Sequence, residues 1–293
     1  MRTRVLVTGA GGPAGTALVR ELRARGQHVL AVDAEHHPGV VRVPYATDPG
    51  LVAVLRRLVD LEQIDLVIPT VSEELPVLAA SMAQLNPAHT VVAPERAVRL
   101  AHDKLLTCQV LESAGVPVPA FGVPEDYDDA RAAVRALGGA VVTKPRVSRG
   151  GRGVEVVDEA WTGSWAEVPP GSVVQAFAPG VEYAPMVFRA PGADRAQVTV
   201  VLEKTALADG RVGNATAVRR VRADDVAEVA SRAVVALGLT GPVDLDVRRD
   251  VDGRPVVLEV NARFGANSAA APEVIDAVLE DSGLPAHGAG VGA

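Results

Sequence analysis

A chain of 293 residues that is 48% hydrophobic and 22% charged can bury a substantial core as one large or two smaller globular domains. A net charge of −7 and 3% aromatic content argue against a general nucleic-acid binder, which needs a basic face and stacking platforms. The single cysteine, Cys108, excludes an internal disulfide and a thiolate metal cluster.

The chain opens directly on a short apolar strand, Val5-Leu6-Val7, without the long apolar segment of a signal peptide. No apolar run approaches the roughly 20 residues that cross a bilayer, so no membrane partner and a cytoplasmic location are expected. A glycine-rich turn, Thr8 to Gly15, leads into a helix that reaches about Arg25, and Val29 to Val32 forms the next strand, ending at Asp33. Leu51 to Leu61 has helical spacing, Leu66 to Ile68 reads as a strand, Glu73 to Gln84 as a helix and Val91-Val92 as a strand. Strands alternating with helices imply a parallel sheet covered on both faces, which places residues 1–95 in an open α/β domain.

Gly9, Gly12 and Gly15, with Asp33 ending the following strand, are similar to the cofactor loop of an extended short-chain dehydrogenase. That chemistry needs a Tyr-x-x-x-Lys pair, and Tyr45, Tyr127 and Tyr183 are followed four residues later by Pro49, Arg131 and Val187. The glycines are therefore read as tight packing in a β-to-α turn.

From Pro94 the pattern changes. A helix runs from about Glu95 to Gly115, where Val116-Pro117-Val118-Pro119 forces an extended exit. One further helix, about Asp128 to Leu137, is followed by strands at Val141–Thr143, Val154–Val157, Val173–Gln175 and Val198–Leu202. A helix from Ala223 to Leu237 precedes two strands, Val243–Val247 and Pro255–Val260, joined by an Asp252-Gly253 hairpin turn. Residues 287–293 read as a frayed Gly/Ala tail, leaving residues 96–286 as a second domain.

Among 29 basic residues only Lys104, Lys144 and Lys204 are lysines. Where arginine serves as the generic cation, the remaining lysines are candidates for work that needs a compact ammonium on a flexible stem. Their neighbourhoods carry the signal: His102-Asp103-Lys104 at a helix start and Val141-Val142-Thr143-Lys144-Pro145 before a loop, Ser148 to Gly153. Gln175-Ala176-Phe177-Ala178 then leads to Glu182, and Asp244-Leu245-Asp246 is joined through the hairpin to Glu259-Val260-Asn261-Ala262-Arg263.

Five such elements in this order, from about Pro94 to Pro272, resemble the ATP-grasp superfamily, which includes D-alanine–D-alanine ligase, biotin carboxylase and the carbamoyl-phosphate synthetase large subunit. The resemblance implies an N-terminal Rossmann-like parallel-sheet domain followed by an ATP-grasp fold of α+β type, with a mobile lid at about 120–175. It implies ATP and Mg²⁺ as cofactors. Lys104 and Lys144 look like the family's phosphate-contacting lysines, and Ser148, Gly150, Gly151 and Gly153 like its lid loop, where bare backbone approaches the triphosphate.

By the same resemblance, Gln175, Phe177 and Ala178 belong to the segment that reads the adenine edge, and Glu182 is the ribose carboxylate. Members often carry an acidic residue beside the position of Gln175, where this chain has Ala176. Arg263 and Lys204 are similar to the cations that steady the transferred phosphoryl group, while Arg219 and Arg220 read as solvated.

Glu259 and Asn261, two apart on one strand, share a face with Asp246 on its hairpin partner, an oxygen set suited to Mg²⁺. Carboxylates inside an apolar strand need a cation. The implied activity is an ATP-dependent carboxylate–amine ligase that forms an acyl-phosphate and ADP. A phosphotransferase on the same fold is the alternative. Small-molecule acid and amine partners are expected, and a homodimer is one assembly open to the chain.

Overall fold

The computed structural model describes residues 3–148, 150–208, 213 and 215–284. The expected tail at 287–293 lies outside them.

Strands β1 (Arg4–Val7), β2 (His28–Asp33), β3 (Val41–Arg42), β4 (Leu66–Ile68) and β5 (His89–Thr90) form a parallel sheet in the order β3-β2-β1-β4-β5. The last strand sits two residues before the expected Val91-Val92. Val91 still donates to the Val67 carbonyl at 2.9 Å, but Val92 N–H turns back to Thr90 O, so pairing stops there. Helices α1 (Pro13–Ala24), α2 (Leu51–Glu62) and α3 (Glu74–Ser81) cover the sheet. Pro13 opens α1, where its missing N–H costs nothing, and Leu18 and Leu22 recur at helical spacing on the buried side. One sheet face, with Leu6, Val32 and Val67, packs under α2, and the other, with Val5 and Val7, packs on α1.

The single helix expected from Glu95 to Gly115 is two helices, α4 (Glu95–His102) and α5 (Lys104–Ser113). Asp103 breaks them apart. Its backbone is extended and its carboxylate accepts from the N–H groups of Leu105 at 2.9 Å and Leu106 at 3.2 Å. A local cap thus outcompetes helix continuation, which fixes Lys104 at the first position of α5.

A small antiparallel sheet, in the order β6-β9-β7-β8, contains β6 (Phe121–Gly122), β7 (Val141–Lys144), β8 (Glu155–Val157) and β9 (Val173–Ala176). Helix α6 (Ala130–Ala136) backs it, and its core is small: Ala133, Val141, Val157 and Val174.

The central sheet is antiparallel, in the order β12-β11-β10-β13-β14. Its strands are β10 (Glu182–Arg189), β11 (Val198–Leu207), β12 (Ala215–Arg220), β13 (Gly241–Arg249) and β14 (Pro255–Asn261), flanked by α7 (Asp224–Ala236) and α8 (Pro272–Asp281). The middle strand, β10, contains Pro185, a residue that sequence rules confine to edges and bulges. The structure accommodates it because the ladder to β13 skips Ala184 and Pro185.

Alternation gives the central sheet two faces. Tyr183, Val187, Leu245 and Val247 pack with α7 and α4, while Ala184, Met186, Phe188 and Leu202 pack with α1 and α8. The second face joins the two sheets in one core and leaves its upper end for polar side chains. No helix among the described residues is long and apolar enough to cross a membrane.

Candidate active site

The register of the central sheet assembles the polar end. Glu182 opposes Arg248, Asp246 opposes Glu259, and Asp244 opposes Asn261, so all six side chains fall on one face. Lys204 reaches this row from β11: its Nζ lies 2.6 Å from Glu182 Oε1 and 2.6 Å from Asp246 Oδ1. Burial pulls the ammonium pKa down, but the carboxylates of Asp246 and Glu182 raise it more, so Lys204 stays charged.

The ladder between β13 and β14 slips after Asp246, where Val247 pairs with Val257 and Leu258 is left as a bulge. The bulge frees the Leu258 carbonyl, and Lys144 Nζ donates to it at 2.9 Å. Lys144 is 6% exposed; burial lowers its pKa and the nearby Glu259 carboxylate opposes that. Lys104, 5% exposed, donates to Ser148 O at 2.8 Å and lies 3.4 Å from Glu259 Oε1. All three lysines therefore meet the β13–β14 carboxylates and their backbone.

The loop after β7 is tied at its base. Arg146 Nε donates to both Asp103 oxygens at 3.0 and 2.9 Å, and Lys104 N–H donates to Arg146 O at 3.0 Å. Beyond it Gly150, Gly151 and Gly153 have φ of 63°, 72° and 70°, the left-handed region that glycine enters without strain because it has no Cβ. Gly151 approaches the turn between β11 and β12, where an added Cβ would stand 3.6 Å from Gly213 Cα. In the strand below, Gln175 is buried and its amide donates to Cys108 Sγ at 3.0 Å, so the Gln175 side chain is used internally. Phe177 N–H donates to Ala140 O at 2.8 Å, and Ala178 is buried beside it.

Arg263 closes the far side. Its guanidinium donates to Asn261 Oδ1 at 3.3 Å, to Phe264 O at 2.8 Å and to Ser72 Oγ at 2.9 Å, so the parallel sheet contributes to the site. Ser72, His102, Lys104, Ser148, Glu259 and Asn261 line one continuous cleft there.

Asp244, which the sequence marks only as part of the strand, is a half-buried member of the cluster. Burial, then the Asp246 charge, push its carboxyl up to about 7 against the pull of Arg263 and Lys204. Gly265 is required by it, since a Cβ there would lie 2.4 Å from Asp244 Cγ. Strict alternation with Asp246 is the signal that could have found Asp244; nothing local marks Ser72.

Among the described residues no three His, Cys, Asp or Glu side chains form a metal cluster. The oxygen set is instead two carboxylates and an amide, Asp246, Glu259 and Asn261. Such a set fits Mg²⁺, which takes few protein oxygens and fills the remaining positions with water and phosphate.

The glycine turn near the N-terminus is self-contained. Gly11 N–H donates to Asp33 Oδ2 at 2.9 Å, Ala10 N–H to Val32 O at 3.0 Å and Gly12 N–H to Gly9 O at 3.0 Å. The His37 ring packs on Gly11, and a Cβ on Gly15 would lie 2.1 Å from Gly9 O.

Residues 101–267 match the model of an ATP-grasp domain. The formate-dependent phosphoribosylglycinamide formyltransferase of Stutzerimonas stutzeri is 28% identical over 170 residues, covering 54% of this chain and 42% of that protein. The D-alanine–D-alanine ligase of Gloeobacter violaceus is 30% identical over 209 residues, covering 61% of this chain and 64% of the ligase. The match thus spans less than half the length of the formyltransferase. Among solved structures, an L-amino acid ligase from Bacillus licheniformis is similar in fold at a TM-score of 0.68, with 22% identity over 92% of this chain and 69% of the other. N5-carboxyaminoimidazole ribonucleotide synthetase from Thermotoga maritima follows at 0.66, with 18% identity over 97% and 76%.

Proposed function

The chain belongs to the ATP-grasp family, and from that premise we propose that it is an ADP-forming ligase joining a carboxylate to an amine. One observation supports the reading most. The only three lysines of the chain converge on the Asp246–Glu259 carboxylates and on Leu258 O, at 2.6 to 3.4 Å. A triphosphate and a metal together are the ligand that such interleaved charges of both signs suit.

In this proposal Glu182 accepts from the ribose hydroxyls, and Lys104 and Lys144 hold the non-transferred phosphates. Lys204 and Arg263 neutralise the γ-phosphoryl group as it passes to the substrate carboxylate. Asp246, Glu259 and Asn261 would hold Mg²⁺, which would supply further charge neutralisation. The amine then attacks the acyl carbon, the C–N bond forms, and phosphate leaves with the C–O electron pair. The loop around Ser148, Gly150, Gly151 and Gly153, with the small sheet behind it, acts as a lid that keeps water from the acyl-phosphate. The cytoplasm as its compartment and small molecules, not nucleic acid, as its partners belong to the same proposal, as does a homodimeric assembly.

Two of the similar proteins carry amino acids in their names, so amino acids head the test. Pairs of carboxylic acids and amino acids are screened for ADP release with Mg-ATP. The ligase reading expects sustained release only when both are present. Sustained release with an acid or alcohol alone, accumulating a stable phosphate ester, would replace it with the phosphotransferase, which nothing in the comparisons favours. No release with any pair would leave it without support.

A further inference from the structure

Arg248 is not among the residues that the sequence marks for the site, yet it stands at the Glu182 end of the same polar row. On the register it stands opposite Glu182, on the same face as Lys204 and Asp246. Its Nη1 lies 3.5 Å from Glu182 Oε2, its Nε donates to Gly180 O at 3.0 Å, and its guanidinium carbon sits 4.8 Å from the centre of the Phe177 ring. The side chain is only 11% exposed. It is thus a clamped, flat cation between the carboxylate proposed for the ribose and the backbone proposed for the base edge.

A nucleoside held at both points would lie against Arg248, which touches Glu182 on one side and Phe177 on the other. Guanidinium stacks on aromatic faces, which an ammonium or an apolar chain does not reproduce. Phe177 already holds one such contact, and the Gly180 carbonyl fixes the rotation of the plane. We propose that Arg248 is a base-stacking residue of the nucleotide site, with the purine of ATP as a third layer over the guanidinium and the Phe177 ring. Because the contact is to the π-face, it strengthens binding of the base and leaves binding of the phosphates alone. The inference rests on the nucleotide reading given above.

The test is calorimetric titration of the full chain with Mg-ADP and with Mg-tripolyphosphate, which has no base. Arg248→Met is expected to weaken Mg-ADP about 3- to 30-fold and to shift Mg-tripolyphosphate less than about 2-fold. Arg248→Lys, which keeps the charge beside Glu182 but not the plane, is expected to recover less than half of the loss on a logarithmic scale. Unchanged Mg-ADP affinity in Arg248→Met, or full recovery in Arg248→Lys, overturns the stacking role. Equal loss of both ligands in Arg248→Met does so too. Wild-type binding of tripolyphosphate without ADP removes the nucleoside part of the nucleotide reading, and this inference with it. Binding of neither ligand sinks the nucleotide reading and this inference with it.

Discussion

At the scale of single residues, charge and burial decide what each side chain can do. Lys144 and Glu259 sit within one cluster but contribute differently. Lys144, buried and bonded to a bulge carbonyl, is held in place by the β14 backbone, whereas Glu259 meets Lys104 across the cleft. Lys144→Ala and Glu259→Gln are each expected to lower ATP turnover by about a thousandfold or more while the far-ultraviolet circular dichroism stays that of the wild type. Turnover within tenfold of wild type in either variant would remove that residue from the mechanism.

Asp244 gives a prediction in pH. Its carboxyl is raised from an ordinary 3.8 to about 7. Between those values the unfolded chain has lost the proton and the folded protein keeps it, so stability falls as pH rises through this window and the deficit is complete above it. Asp244→Asn removes the deficit. In protein stripped of metal, its Tm is expected to exceed the wild type by several degrees at pH 8 and to match it near pH 4. An offset independent of pH would mean that packing against Gly265, not ionisation, sets the cost.

Single elements depend on where a backbone comes close to another. The turn from β1 to α1 holds Gly12 and Gly15 three residues apart, and both face the Gly9 carbonyl, but only Gly15 is pressed against it. A Cβ on Gly15 would meet Gly9 O at 2.1 Å, whereas one on Gly12 finds nothing nearer than 3.4 Å, at a φ of −77° that alanine adopts. Gly15→Ala should therefore cost about 1–3 kcal/mol in urea unfolding, and Gly12→Ala about 1 kcal/mol or less, the loss of a glycine N-cap. Equal costs would show that the turn relaxes around the added methyl group. Asp103 acts on the same scale: by capping α5 and pairing with Arg146 it joins a helix start to the root of the glycine loop, so Lys104 and the loop share one anchor.

Across the whole molecule the cores are unequal. Val5, Leu18 and Leu22 of the parallel-sheet layer share one apolar cluster with Met186, Phe188 and Leu202 of the central sheet and Val274 of α8. The small sheet has four buried apolar residues of its own. Local opening free energy follows buried contact, so native-state hydrogen exchange should show β7 and β9 opening well below the global free energy. The amides of β1, β10 and β13 should exchange together near the global limit. Protection of β7 equal to that of β10 would argue against a separately moving lid.

Much of the site is written locally. Period-2 alternation in β14 puts Glu259 and Asn261 on one face by spacing alone, because alternate side chains of a strand share a side, and the hairpin register brings Asp246 opposite Glu259. The scarcity of lysine marks three positions, and glycines mark the loop between them. Other features have no local trace. Pro185 argues against the strand that forms the centre of the sheet, and only the gap in its ladder to β13 explains it. The Arg263–Ser72 and Gln175–Cys108 contacts join residues 191 and 67 positions apart. Arg248 reads along the chain as one more surface arginine. What the sequence by itself determined were periodicities and chemical types, which depend on near neighbours. What only the tertiary structure decided was which distant side chains share a low-dielectric space, and in that space charges are paired, shifted or stacked.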